Sequence, residues 1–265
     1  MSDHGRFIWY ELMTPDLSGA KRFYGDLVGW AAQDLPMPNS GDDGGGEPYA
    51  ILSADGNGVA GMMHLGAPMK AQGMAPHWTG YVCVDDCDVA AAKVATLGGA
   101  VRSPPLDIPG IGRFAVVADP SGAVFAIMKP TPPPGGRPKA DLSAVGQTGW
   151  HELSGADPGT GFDFYAEMFG WTKAEALEMG PMGTYQLFNN QDGQVGGMMK
   201  QPPQAPAPGW LYYFRVADIN AAAAQIAASG GQVMNGPMEV PGGDWVVQAM
   251  DPQSAMFAVV ARKAA

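Results

Sequence analysis

This chain is written twice, and that limits what it can fold into more than any other feature. Residues 119–128 read DPSGAVFAIM and residues 251–260 read DPQSAMFAVV, 132 positions apart. WYELMTPD (9–16) returns as WHELSGAD (150–157), and FYGDLVGW (23–30) as FYAEMFGW (164–171), both at an offset of 141. VAGMM (59–63) returns as VGGMM (195–199) at 136, and WTGYVCVDD (78–86) as WLYYFRVAD (210–218) at 132. Self-similarity at this scale is the signature of duplicated structural units. The offset falls twice, so two deletions are expected in loops. PMPNSGDDGGGEP (36–48) and GAPMKAQGMAP (66–76) are the Gly- and Pro-rich candidates. TPPPGGRPKADLSAVGQ (131–147) reads as a linker. The expected domains are therefore 1–130 and 148–265.

Each copy has its own internal order. RFIWYELM alternates as a strand. Asp16 then caps a helix whose apolar residues Leu17, Ala20, Phe23, Tyr24, Leu27 and Val28 recur at helical spacing. Asp157 caps its counterpart, with Pro158 in the first turn. YAILSADGNGVAGMM reads as a hairpin, HWTGYVCV as a strand, and DVAAAKVATLGG as a helix closed by glycines. GRFAVVADPSGAVFAIM adds two strands. With AAQDLPM as a short strand, the pattern is βαβββ twice per copy, an α+β fold by tandem duplication of paired βαβββ units. GNGVAG (56–61) matches GxGxxG literally, but it leads into a strand rather than a helix, so it is a hairpin turn and not a dinucleotide loop.

Composition narrows the partners. Net charge is −11 with no Lys/Arg run, which makes phosphate backbones poor partners and nucleic-acid binding unexpected. Apolar residues are 46% and charged residues 15%, enough for a real core. No apolar run approaches the roughly 18 residues of a membrane span, and MSDHGRFIWY lacks a signal-peptide core. The expectation is a cytoplasmic protein without a membrane partner. Two cysteines do not make a disulfide framework.

WYELMTPD…FYGDLVGW, YVCVDDCDVAAAKVATLGGAV and FAVVADPSGAVFAIM together resemble the vicinal oxygen chelate superfamily, which includes glyoxalase I, extradiol dioxygenases and bleomycin-resistance proteins. The resemblance covers nearly the whole chain. It implies that each domain curls eight strands into a cup with helices outside and the site within, and it leaves a homodimer open. It also implies where a metal would bind. Ligands would stand seven residues before the Asp of the first helix, seven before the Asp of VDD or VAD, and seven after the Asp of the DP turn. Those positions hold Trp9, Thr79 and Ala126 in copy one, and Trp150, Leu211 and Ala258 in copy two. Indole is no ligand, alanine has no donor atom and a lone threonine hydroxyl is a weak one, so neither a metal nor any other cofactor is expected.

Strand alternation then populates the cups. Phe7, Trp9, Glu11 and Met13 are expected to face one cup, with His77, Thr79, Tyr81 and Cys83 on the middle strand. Trp150, Glu152 and Ser154 are expected to face the other, with Gly209, Leu211, Tyr213 and Arg215. Met62, Met63, Met198 and Met199 lie on strands near the cups, and His151 is expected on the helix side. The expected ligand-binding residues are Trp9, Glu11, His77, Thr79, Tyr81, Trp150, Glu152, Leu211, Tyr213 and Arg215. This apolar-aromatic set with few polar groups suits a small-molecule pocket. Glu11 and His77 are expected to approach each other and are the candidate catalytic pair; copy two has Gly209 in place of the histidine. The functional expectation is binding or sequestration of a small, partly aromatic ligand. The alternative is a lyase, isomerase or dioxygenase-type enzyme, metal-free or with displaced ligands, so whether the protein catalyses is left open.

Overall fold

The computed structural model describes residues 3–36, 48–131, 141–203, 205 and 207–262. Residues 37–47 of the expected loop 36–48, and 132–140 of the expected linker 131–147, lie outside the described residues. In copy one the order is β1 (Phe7–Thr14), α1 (Leu17–Val28), β2 (Ala31–Leu35), β3 (Tyr49–Ala54), β4 (Asn57–His64), α2 (Ala67–Ala71), β5 (His77–Cys83), α3 (Cys87–Thr96), β6 (Ala100–Ile108), β7 (Gly112–Ala118) and β8 (Val124–Pro130). Copy two follows with β9 (Thr148–Gly155), α4 (Pro158–Phe169), β10 (Thr172–Glu178), β11 (Thr184–Asn190), β12 (Gly193–Lys200), β13 (Gly209–Arg215), α5 (Ile219–Ala228), β14 (Gln232–Glu239), β15 (Asp244–Met250) and β16 (Met256–Arg262). The five-residue α2 falls in a stretch expected to be loop and buries none of its residues.

The termini of the helices follow from their caps. Asp16 Oδ1 accepts the amide of Gly19 at 2.9 Å and Asp157 Oδ1 that of Gly159 at 2.8 Å, each satisfying an orphan N–H of the first turn. Gly29 and Gly170 end these helices at φ +83° and +69°, a left-handed conformation that a side chain would resist. The six apolar residues expected to recur along α1 are all buried.

Each copy forms one eight-stranded mixed sheet. The orders are β2-β3-β4-β1-β5-β8-β7-β6 and β10-β11-β12-β9-β13-β16-β15-β14, the same path twice. β1 runs parallel to β4 and β5 parallel to β8, while the hairpins pair antiparallel. The turn after β3 uses Asp55 and Gly56, both at positive φ, which makes the GNGVAG stretch a hairpin entry.

The sheets follow the repeat, but the packing does not. One compact unit comprises residues 1–8, 79–139 and 150–211, and the other comprises residues 9–78, 140–149 and 212–265. Each unit thus joins half of copy one to half of copy two. In the first unit α3 packs on α4; in the second α1 packs on α5. The first unit's core joins Val82, Val94, Phe125 and Ile127 of copy one to Phe162, Tyr165, Phe169, Trp171 and Phe188 of copy two.

The repeated motifs hold these mixed units together. Tyr165 of FYAEMFGW donates its hydroxyl to Asp119 Oδ2 at 2.9 Å, and Asp119 Oδ1 accepts the amides of Ser121 and Ala123, both at 2.9 Å. In the other unit Tyr24 of FYGDLVGW donates to Asp251 Oδ2 at 3.0 Å, and Asp251 Oδ1 accepts the amides of Gln253 and Ala255. The DP turn is therefore duplicated because each copy brackets the tyrosine of the other. The GW tryptophans act in the same way. Trp171 Nε1 donates to the carbonyl of Gly5 at 2.7 Å, and Trp30 Nε1 to that of Gly146 at 2.8 Å. Gly5 and Gly146 share a positive φ, +81° and +84°. Gly146, at the end of the expected linker, is thus a repeat position bonded into the fold.

Candidate functional site

Within one unit, Trp9 Nε1 donates to the Tyr49 hydroxyl at 2.9 Å, and that hydroxyl donates to Glu11 Oε2 at 3.2 Å. Within the other, Trp150 Nε1 donates to the Tyr185 hydroxyl at 2.9 Å, and Tyr185 donates to Glu152 Oε2 at 3.0 Å. The two arrangements match residue for residue. The polarity of each chain is fixed because indole is a donor only. Each tyrosine oxygen must accept from tryptophan, so its own proton points at the carboxylate. Burial, followed by the nearby Glu11 charge, pushes the Tyr49 pKa far up, so the hydroxyl keeps that proton at any ordinary pH.

The strands explain how the three side chains meet. Glu11 on β1 pairs with Gly61 on β4, and Glu152 on β9 pairs with Gly197 on β12. Tyr185 lies opposite Met199, one pleat from Gly197 on the same face. A Cβ on Gly61 would overlap the Tyr49 hydroxyl, and one on Gly197 would overlap the Tyr185 ring. Glycine at these two positions is what lets a tyrosine lie across β4 or β12 and reach the glutamate. All six side chains are half-buried. Tyr49 and Tyr185 are absent from the expected site set. The signal for them was present: YAIL (49–52) returns as YQLF (185–188) at the same offset of 136 as VAGMM and VGGMM.

The expected partnership of Glu11 with His77 is not formed. Glu11 accepts from Tyr49, whereas His77 Nδ1 lies 2.7 Å from the carbonyl oxygen of Ala75, two residues back. The tyrosine reaches the carboxylate across a glycine, and the histidine turns to its own loop. Phe7 also departs from expectation. Its ring stacks on His151 at 3.9 Å and 11° and packs against the helix-side core, so it does not belong with Trp9 and Glu11. His151 is buried against that core, as expected, with Nδ1 2.8 Å from the Val195 carbonyl.

Of the other expected residues, Arg215, Tyr213 and Tyr81 have structural partners. Arg215 Nε donates to the Leu142 carbonyl at 2.8 Å, and its Nη1 pairs with Asp244 at 3.4 Å, which ties β13 to the linker end and to β15. Tyr213 accepts from Gln248 Nε2 at 2.7 Å. Tyr81 meets the Phe114 ring at 6.0 Å. Thr79 is buried and Leu211 half-buried. Gly209 has nothing beside its Cα where His77 has an imidazole in copy one.

The side chains at the metal positions do not fit a divalent cation. Trp9 and Trp150 direct N–H groups at tyrosines, and Ala126 and Ala258 are fully buried methyls in the ladder beside Tyr81 and Tyr213. Among the described residues no three His, Cys, Asp or Glu side chains converge as metal ligands would. Among the same residues, no helix is long and apolar enough to cross a membrane.

Residues 6–127 and 148–259 each match the family model of the Glyoxalase/Bleomycin resistance protein/Dioxygenase superfamily. The chain belongs to this superfamily. It is 35% identical over 257 residues to the Mycobacterium tuberculosis protein named putative glyoxylase CFP32, covering 95% of this chain and 93% of that protein. It is 33% identical over 264 residues to the anthracycline biosynthesis protein DauV of Streptomyces sp. strain C5, covering 95% and 91%. Solved superfamily folds superpose along the whole chain. The Mn(II)-bound glyoxalase from Novosphingobium aromaticivorans gives a TM-score of 0.63 at 16% identity, over 98% of this chain and 83% of that one. The 2,2',3-trihydroxybiphenyl 1,2-dioxygenase from Sphingomonas wittichii gives 0.65 at 13%, over 98% and 91%. At these identities the likeness is one of fold, and one fold hosts many chemistries.

Proposed function

We propose that this superfamily member binds a small, partly aromatic molecule, one at each Trp–Tyr–Glu triad. The observation that carries the reading is the triad itself. Two donor-only indoles, two tyrosines and two carboxylates are held in the same hydrogen-bond chain, at the same sheet positions, in copies that have diverged elsewhere. A half-buried aromatic pair beside a single oriented polar group is the usual composition of a ligand site. Met63 and Met199 stand one pleat from the crossing glycines and add soft contact area for a ring. The 33% identity to DauV supports an aromatic ligand, because that protein's name ties it to anthracyclines, which are polycyclic aromatics.

Calorimetric titration with a hydroxyanthraquinone tests the reading. Saturable binding near two per chain is expected, lost in the folded double variant Trp9→Ala, Trp150→Ala. Binding that survives this double change, or no saturable binding of planar aromatics at all, contradicts it. The same carboxylates favour a second reading, proton transfer to or from carbon by a metal-free enzyme. Chemical change of the bound molecule, lost in Glu11→Gln, would move the protein into that class.

A further inference from the structure

A sheet edge presents a row of unpaired backbone N–H and C=O groups, and folded proteins blunt such rows with proline, bulges or charge. Among the described strands, β2 and β6 end the sheet of copy one, and β10 and β14 end that of copy two. All but β2 are blunted. β6 carries Pro104 and Pro105, and its register with β7 shifts between Val101 and Ser103 and again between Ser103 and Leu106. β14 carries Pro237 and shifts between Val233 and Asn235 and between Asn235 and Met238. β10 carries Lys173, Glu175 and Glu178 and shifts between Lys173 and Ala176, where Gln186 Nε2 donates to the Ala174 carbonyl at 2.9 Å.

β2 has none of these devices. Ala31, Ala32, Gln33, Asp34 and Leu35 pair with β3, from Ser53 to Tyr49, in unbroken register and without proline. All five are exposed, and among the described residues their backbone groups bond nowhere outside the β2–β3 ladder. The repeat explains the difference from β10. The position of Gln186 in copy two is held by Ala50 in copy one, which has no amide to fill a bulge. The one charge on β2 is also met: Lys21 Nζ donates to the two carboxylate oxygens of Asp34 at 2.7 and 2.9 Å.

We infer that β2 is the edge at which two copies of this chain join, strand to strand and antiparallel, about a two-fold axis at Gln33. This pairing sets Gln33 opposite Gln33 of the partner subunit, and Asp34 opposite Ala32 of the partner subunit. A two-fold contact must be complementary to itself. Here it is. A carboxamide both donates and accepts, so two Gln33 side chains can bond across the axis. Each Asp34 meets a methyl group while its charge stays with Lys21. In a chain of net charge −11, a locally neutralised edge is where a second copy can approach. An extended peptide fits less well. Peptides that add a strand are selected by pockets for alternate side chains, and the five side chains of β2 all stand in the open.

Sedimentation velocity of the full chain, over a range of concentrations at low and high salt, tests this. A monomer–dimer equilibrium is expected, and salt should tighten it by screening the repulsion between two acidic chains. Gln33→Lys and Gln33→Glu each set like charges opposite each other across the axis. Each variant alone should lose the dimer, and an equal mixture of the two should regain it, a rescue that loss of fold would not produce. Ala176→Lys adds the same charge as Gln33→Lys to the exposed β10 edge and should leave the equilibrium unchanged. A chain that is monomeric throughout overturns the inference, whether bare or with a co-purified peptide detected by native mass spectrometry. So does a dimer that persists in both Gln33 variants, a mixture that stays monomeric, or an equal loss in Ala176→Lys.

Discussion

The two compact units share a plan but differ in how completely their cores satisfy it. In one, Trp78 Nε1 donates to the Tyr24 hydroxyl at 2.9 Å and Tyr24 donates to Asp251, so a buried three-residue chain is closed. In the other, Tyr165 donates to Asp119, but the indole nitrogen of Trp210, the counterpart of Trp78, is buried without a hydrogen-bond partner. Tyr10, which meets the ring of Tyr212, is matched by His151, which stacks on Phe7. The cores therefore keep their Tyr–Asp and Trp–carbonyl bonds but differ at these two positions, whereas the triads match residue for residue.

The largest expected effect comes from dividing the repeats. Residues 1–130 alone lack the α5 and Asp251 that cover Tyr24, and residues 148–265 alone lack the α3 and Asp119 that cover Tyr165. Each fragment expressed singly should lose near-ultraviolet dichroism and cooperative unfolding, and co-expression should restore both. Two independently stable fragments would show that the repeats, rather than the mixed units, are the folding domains.

Acid should strike one unit first. Burial lowers the His151 pKa to about 4 from 6.5, so between these values the unfolded chain binds a proton that the folded chain refuses. Stability from this site is complete above pH 6.5 and is lost as pH falls toward 4, by up to about 3 kcal/mol. Asp251 works in the opposite direction. Its burial raises its pKa, so protonation on acidification relieves a cost in the unit built around Tyr24. Urea unfolding across pH 4 to 7 should show a steeper acid loss in Asp251→Asn and a shallower one in His151→Phe. Parallel curves for all three proteins would contradict the assignment.

The tryptophan pair gives a smaller contrast. Trp78→Phe removes a made bond, whereas Trp210→Phe removes an unmet N–H, so the first should cost about 1–2 kcal/mol more in chemical denaturation. Equal costs would mean that the two units satisfy these indoles alike. Smallest of all is His77→Ala. The imidazole bonds its own loop, so hydroxyanthraquinone affinity should not change. A tenfold loss would restore His77 to the site.

The fold was legible because its signals are local and repeated: Asp caps, helical periodicity in α1, Gly-bounded hairpins and a fixed motif order. The mixed packing was not. FY, GW and DP read as self-contained signatures of a copy, and nothing in a one-dimensional pattern says that Tyr24 is bracketed by Asp251 rather than by Asp119. The triads were half legible. Trp9, Glu11, Trp150 and Glu152 follow from alternation along one strand. Tyr49 and Tyr185 reach them from two strands away over a glycine, which strand parity cannot express. His77 looked like the partner of Glu11 because strand positions ignore side-chain torsion, and its ring turns back to Ala75.

The central claim is that the two Trp–Tyr–Glu triads are twin sites for a small, partly aromatic molecule, and a crystal soaked with 6-bromo-2-naphthol tests it most directly. Anomalous scattering locates bromine without reference to the protein. The account predicts two bromine peaks per chain, each belonging to a naphthol ring seated against a triad, one at Trp9, Tyr49 and Glu11 and one at Trp150, Tyr185 and Glu152. Bromine elsewhere on the molecule with both triads empty would contradict it.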